Sequence, residues 1–212
     1  VTLSDVGFEE AVELAYFGAR IIHPDAAKHA IARNVPLRVK NTFAPEHPGT
    51  LIHFDRRETA TFRAVAHKND VVLIRVKAFP TAMVYGFLAR VFEVLAQHKV
   101  PVDLVATSHS STAFTIDRDK ELAEVRLELS EFAEVDVVED VSTVTVVGSG
   151  LLREPGMEAL AFWAIEKTPV YLISQASDVS ISFVVDEVEA PELVRRLHLS
   201  LIELRQDGEN RA

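Results

Sequence analysis

Two short stretches of this chain bring together groups that could hold a free amino acid. The first is Met83-Val84-Tyr85-Gly86-Phe87-Leu88, where an extended segment hands over to a helix. Free N–H groups at a helix start can hold a carboxylate, and Gly86 lets a ligand approach the backbone closely. The second is Val102-Asp103 on the following strand, with Thr107-Ser108-His109-Ser110-Ser111-Thr112 at the next hairpin. Asp103 interrupts an otherwise apolar strand, and its carboxylate could pair with an ammonium. A helix start for carboxylate and an aspartate for ammonium together make an amino-acid receptor. An edge-facing aspartate and an ordinary polar turn account for the same residues, so local pattern leaves both readings open.

Catalytic chemistry is thin. The chain has no G-x-x-x-x-G-K-[ST], no G-x-G-x-x-G and no G-x-S-x-G. Its 8 glycines never cluster into a phosphate-cradling loop, and Gly148-Ser149-Gly150 reads as a strand-to-helix turn. The 8 histidines show no H-E-x-x-H or other tight ligand spacing, and the absence of cysteine removes thiolate nucleophiles and Cys-ligated metals. No catalytic residue and no metal ligand is assigned, and no cofactor is expected on these residues.

The formal charge of −10 argues against nucleic acid or an anionic membrane as partner, because both select a basic surface. No apolar run approaches the roughly 20 residues of a membrane span, and zero cysteine suits a reducing cytoplasm. The first residue is Val1, which reads as a piece of a longer protein or a processed chain.

Hydrophobic spacing places these groups on elements. Residues 1–36 read as two helices, the first with Phe8, Val12, Ala15 and Ala19 on one face and Gly18 in close packing, the second beginning at Pro24 and closing at Asn34-Val35-Pro36. Short strands follow at 37–41 and 50–52, then the polar run Asp55-Arg56-Arg57-Glu58, read as a linker. These pieces cannot bury a core alone, so 1–57 reads as the end of a domain whose body is missing.

From about residue 60 the pattern is β-α-β-β-α-β. Strands are expected at 72–78, 102–108, 112–117 and 135–138, with helices at 86–98 and 122–132. The order then repeats through strands at 144–147, 170–176 and 180–185 and helices at 155–166 and 193–201, with Val102-Asp103-Leu104-Val105 equivalent to Val170-Tyr171-Leu172-Ile173. The second copy lacks a last strand, while Phe62-Arg63-Ala64-Val65-Ala66 has no partner. Residues 60–68 are therefore expected to complete the second unit (with 142–204), leaving the first unit (70–141) inserted within it. The expected class is α+β, two ferredoxin-like units behind a helix/strand remnant, with a polar tail at 205–212.

These segments resemble aspartate kinase, at the end of its catalytic domain and its tandem regulatory ACT units. The resemblance is carried by Phe8-Glu9-Glu10-Ala11-Val12-Glu13-Leu14-Ala15-Tyr16-Phe17-Gly18-Ala19-Arg20 with Ile22-His23-Pro24, and by Pro36 to Phe43 and Pro48 to Ile52. Gly86 to Phe92 and Val102 to Ser108 look like the family's first ACT unit. The match runs from about residue 5 to 204. It implies a parent that phosphorylates the β-carboxylate of aspartate with ATP and Mg, on the route to lysine, threonine and methionine. This chain would be the allosteric half, with the nucleotide and aspartate sites mostly upstream. A separately made regulatory subunit, a bifunctional parent fused to another pathway enzyme, and a free amino-acid-binding module controlling another protein are the alternatives. The resemblance further implies a homodimer through the ACT sheets, with an amino-acid effector at the interface, lysine first and threonine second. Met83, Tyr85, Gly86, Phe87, Leu88, Val102, Asp103, Thr107, Ser108 and His109 are its expected contacts, with Asp103 on an ammonium. His109 stands where many relatives carry an acid, and Met83 and Tyr85 replace smaller or more polar residues. Tyr171 and Gln175-Ala176 replace Asp103 and Thr107-Ser108 in the second unit, which is expected to be structural.

Overall fold

The computed structural model describes residues 3–19, 22, 29–54, 61–79, 85–118 and 122–204. The expected linker at 55–58, the tail at 205–212, and His23, Pro24 and Met83 lie outside the described residues.

Two strands carry the whole architecture. The apolar run Val71-Val72-Leu73-Ile74, with Val76, is one half of β4 (Thr61–Ala78), which pairs antiparallel along nearly its full length with β7 (Ala133–Ser149). The strands expected separately at 61–67 and 72–78 are therefore one, as are those at 135–138 and 144–147. Asn69-Asp70 and Glu139-Asp140 read as breaks, yet the ladder crosses them through bulges, with Asp70 and Asp140 at φ 56° and 55°. The Asn69 amide oxygen accepts from Ser142 Oγ at 2.8 Å, and Arg118 pairs with Asp140 at 2.7 Å, which ties the bend.

On the first half of this frame, α2 (Phe87–Gln97), β5 (Val105–Thr107), β6 (Ser111–Asp117) and α3 (Leu122–Ser130) follow β4. On the second, α4 (Met157–Ala164), β8 (Leu172–Ser174), β9 (Ser180–Asp186) and α5 (Ala190–His198) follow β7, and a π-helical turn (Leu199–Glu203) extends α5. The sheet order is β5-β6-β4-β7-β9-β8. Residues 61–68 pair with 143–149, so the strand preceding the first unit completes the sheet of the second. The fold is α+β, two ferredoxin-like units with one inserted in the other.

The helices cover one face of the sheet and the N-terminal segment covers part of the other, where Arg75, Lys77, Glu134 and Asp136 stay at least partly exposed; strand alternation sorts the side chains. Val72, Ile74 and Val76 join Phe87, Val91, Leu95, Val125 and Leu129 under α2 and α3. Val144, Val146, Ile181 and Phe183 join Met157, Ala161, Leu193 and Leu197 under α4 and α5. The alternate residues Val71, Leu73, Val147 and Val184 face the other way and meet Phe8, Ala11, Leu14 and Phe17 of the N-terminal segment.

That segment departs from the first expected helix; of the second, expected from Pro24 to Pro36, residues 23–28 lie outside the described ones and 29–31 are helical. Strand β1 (Asp5–Gly7) precedes α1 (Phe8–Leu14), in a three-stranded sheet with β2 (Leu37–Val39) and β3 (Thr50–His53), in the order β1-β3-β2. Three residues carry no periodicity of their own, and β1 exists because Asp5, Val6 and Gly7 align parallel to Leu51, Ile52 and His53. Helix α1 ends early in a π-helical turn (Ala15–Ala19) kinked at Gly18, whose φ is 114°. A Cβ at Gly18 would lie 2.4 Å from the His67 carbonyl oxygen, so the close packing expected there is against β4.

Candidate ligand site

The first expected contact set surrounds the start of α2. Gly86 takes a left-handed conformation (φ 81°) at the helix N-cap, and no side chain caps that end among the described residues. Among the described residues, nothing would lie within 4 Å of a Cβ at Gly86, so none of them fills the space beside it. Tyr85 is 95 % exposed, Leu88 is partly exposed, and Phe87 is buried edge-on to Phe132. Unpaired N–H groups of a first helical turn face such a space and favour a carboxylate.

The hairpin lies at the same end of the sheet. Ser108 Oγ meets Ser111 Oγ at 2.6 Å, and the Ala78 N–H donates to the Ser110 carbonyl at 2.8 Å. Thr107, Ser108 and His109 are exposed beside it.

Asp103 lies at the other end. Only 105–107 of the strand expected at 102–108 joins the ladder. At its approach the Asp103 N–H donates to the Thr115 carbonyl at 2.9 Å, and the Leu104 N–H donates to Thr115 Oγ1 at 3.1 Å. From Asp103 to Thr107 is about 13 Å of extended chain at ~3.3 Å per residue. The carboxylate and ε-ammonium of one lysine are under about 8 Å apart, six bonds of ~1.5 Å in zigzag. Within one chain, then, the Gly86 turn and Asp103 lie at opposite ends of this part of the sheet, farther apart than one lysine spans. Val102 packs into the core under α2.

The Asp103 side chain is 3 % exposed and is fully engaged. Lys68 Nζ sits 2.7 Å from Oδ2, and the Tyr16 hydroxyl donates to Oδ1 at 2.5 Å. Lys68 reaches a second carboxylate, Asp117 Oδ1, also at 2.7 Å, and lies 5.4 Å from the centre of the Tyr16 ring. Burial works against the charge on Lys68, but the two carboxylates outweigh it and leave its pKa above the ordinary lysine value. Burial, and then the hydrogen bond to Asp103, raise the Tyr16 pKa well above that of a free phenol, so it is a committed donor. Neither Tyr16 nor Lys68 stood out in the sequence; a lone tyrosine on a helix and a lysine in an alternating strand carry no signal until the fold joins them.

In the second unit the equivalent position is Tyr171, whose hydroxyl donates to Asp186 at 2.8 Å and whose ring lies under Arg75 at 5.6 Å. Gly148 and Ser149, read as part of a strand-to-helix turn, are the last two residues of β7, paired with Phe62 and Thr61; the turn begins only at Gly150, φ 68°. A cavity of about 600 Å³ was not foreseen. It separates α1 from the turns at 149–153 and 177–179 and is lined by Glu10, Glu13, Phe8, Arg153, Ser177 and Asp178 among others. Among the described residues no helix is long and apolar enough to cross a membrane, and no group of three or more acidic, His or Cys side chains could hold a metal.

Comparison with known proteins agrees with this architecture. The ACT domain family model matches residues 144–201. Aspartokinase 3, chloroplastic, of Arabidopsis thaliana is 36% identical over 92% of this chain and 37% of its own length. Escherichia coli aspartokinase III in complex with aspartate and ADP (R-state) superposes with a TM-score of 0.86 at 30% identity, covering 94% of this chain and 46% of that one. The same enzyme in complex with lysine and aspartate (T-state) gives 0.79 at 31% identity over the same shares. A C-terminal regulatory domain of aspartate kinase from Porphyromonas gingivalis is 31% identical, with a TM-score of 0.60, over 66% of this chain and 96% of its own. The chain thus spans less than half the length of the full aspartokinases it matches, and its fold, its order of elements and these identities make it a member of the aspartokinase family, in the part that carries the regulatory ACT region.

Proposed function

We propose that this chain is the amino-acid-sensing part of an enzyme that transfers a phosphoryl group from ATP to aspartate, with ATP and Mg held by the parent's catalytic domain. It contributes no catalytic group of its own. Its ligand is an amino-acid effector for feedback inhibition, lysine first and threonine second. The observation that carries this reading is the buried Asp103 carboxylate already gripped by an ammonium, that of Lys68, at 2.7 Å. A site that binds one alkylammonium out of water has the charge and hydrogen-bond geometry to bind another.

The effector's carboxylate then goes to the uncapped start of α2, with Tyr85, Phe87 and Leu88 around it, while Thr107 and Ser108 supply hydroxyls. Met83 and His109 complete the expected set. Because Gly86 and Asp103 lie at opposite ends of one chain's sheet, the two halves of the receptor come from two copies. β5 is an outer strand of the sheet. Antiparallel pairing of two β5 edges brings Asp103 of one copy toward the hairpin and α2 start of its partner, so the site and the homodimer are one proposal. The E. coli enzyme solved with lysine supports lysine as first ligand. The second unit, with Tyr171 in the acid's place, carries no effector. The parent is read as a cytoplasmic enzyme, a reducing compartment that suits a chain lacking cysteine.

An effector that binds one arrangement of the dimer better than another biases the attached kinase, and only that difference in affinity can do so. Titration calorimetry of the chain with lysine, threonine and methionine tests the reading. Heat from lysine, lost in Asp103→Ala, is the expected result. No heat from any of the three refutes it.

A further inference from the structure

We propose that Lys68 is a tethered competitor of the effector: its ammonium keeps the place on Asp103 that the effector's ammonium takes, and the exchange releases Tyr16 and with it the N-terminal segment. The proposal rests on Asp103 being the effector's carboxylate.

Both oxygens of Asp103 are taken, one by Lys68 at 2.7 Å and one by Tyr16 at 2.5 Å. With its side chain 3 % exposed, there is no open side from which a second cation could add. Two ammonium groups on one buried carboxylate would also repel each other at close range in a poorly screened setting. An incoming ammonium must therefore replace Lys68.

Lys68 has somewhere to go. Its second carboxylate, Asp117, is already 2.7 Å away and more than half exposed, so the displaced charge stays paired and gains water. A four-carbon stem allows this swing with no movement of the β4 backbone. Exchange therefore strands no buried charge, which is the cost that usually forbids breaking such a pair.

Tyr16 is held by the same two groups. Its hydroxyl donates to Asp103, and its ring faces the Lys68 ammonium at 5.4 Å. When an effector ammonium, with three donors, occupies Asp103 and Lys68 withdraws to Asp117, both holds on Tyr16 weaken together. Tyr16 belongs to the π-helical turn that seats the N-terminal segment on β4, through Gly18 against the His67 carbonyl, one residue from Lys68. Occupation of the ligand site is thereby felt in the segment that resembles kinase domain. A neutral or purely anionic ligand cannot trigger it, because it brings no charge to replace that of Lys68.

The test uses L-lysine as the probe on the whole chain, by calorimetry and by amide hydrogen exchange. Lys68→Gln removes the competing charge and is expected to bind lysine about tenfold tighter than wild type. Lys68→Arg keeps the charge and the fold but grips a carboxylate with two parallel N–H donors, and is expected to bind lysine several-fold weaker. In wild type, lysine speeds exchange across Ala15–Ala19. In Tyr16→Phe that exchange is already fast and lysine leaves it unchanged. If lysine binds wild type but Lys68→Gln binds no tighter and Lys68→Arg no weaker, the competitor is refuted while the effector reading stands. If lysine binds neither wild type nor either variant, the effector reading fails and this proposal with it.

Discussion

Gly18→Ala is the substitution whose consequence the structure determines most sharply. Two costs fall on the new methyl group. The backbone at φ 114° and ψ −7° lies where L side chains are strained, which costs about 1–3 kcal/mol. The methyl carbon would then lie 2.4 Å from the His67 carbonyl oxygen. His67 cannot retreat freely, because it is aligned with Val144 in the central ladder. Forcing a methyl group into a filled contact costs a further ~1–3 kcal/mol. The cheaper escape is for the N-terminal segment to lift off β4, so the total of about 3 kcal/mol falls on its docking and leaves the main sheet intact. At about 1.4 kcal/mol per factor of ten, amide exchange in Phe8–Ala19 should accelerate on the order of 100-fold. Exchange in Val71–Val76 should be unchanged. Gly86→Ala is the control. It also has positive φ, 81°, but a Cβ there meets none of the described residues within 4 Å, so only the backbone cost of about 1–2 kcal/mol applies and it stays at the start of α2. Mass-spectrometric exchange of both variants reads the difference. Equal or smaller effects at Gly18 than at Gly86 would refute the docking geometry.

Two further outcomes follow from buried polar groups. Thr143 lies in the ladder between Lys68 and Val184, is fully buried, and its hydroxyl has no partner among the described residues. Thr143→Val should therefore stabilise the chain by about 1 kcal/mol in urea unfolding, and a loss of that size would contradict the assignment. Burial raises the pKa of Glu13, against the opposing effect of its hydrogen bond with Ser180. A folded value above the unfolded one (~4.3) means that the native state binds more protons there, so stability falls as pH rises through the window above it. Glu13→Gln should gain on wild type more at pH 7 than at pH 4 in denaturation midpoint, and the opposite order would reverse the sign of the shift.

The aspartate that interrupts an apolar strand and the glycine inside a helical stripe were both visible as anomalies, because each breaks a local period. So were the alternation of β4 and β9, the stripes of α2 and α5, and the repeat of β-α-β-β-α-β, since binary pattern reports which face of an element is dry. The order of those elements left one unpaired strand and one missing strand, and from that count the insertion of one unit in the other could be read without coordinates. It could not be read that the polar pairs at 69–70 and 139–140 are bulges within two long strands, because a bulge and a chain break have the same composition. Nor could β1, which is made by its alignment with residues far along the chain. The candidate site divides in the same way. That Asp103 is out of place in its strand and that Gly86 opens a helix could be read from local pattern. Their places at opposite ends of one sheet, and the hold of Lys68 and Tyr16 on Asp103 from 35 and 87 residues away, come from the fold alone. Periodicity records how each segment meets its own neighbours; which charge lies against which is set when distant segments dock, and no local pattern carries that.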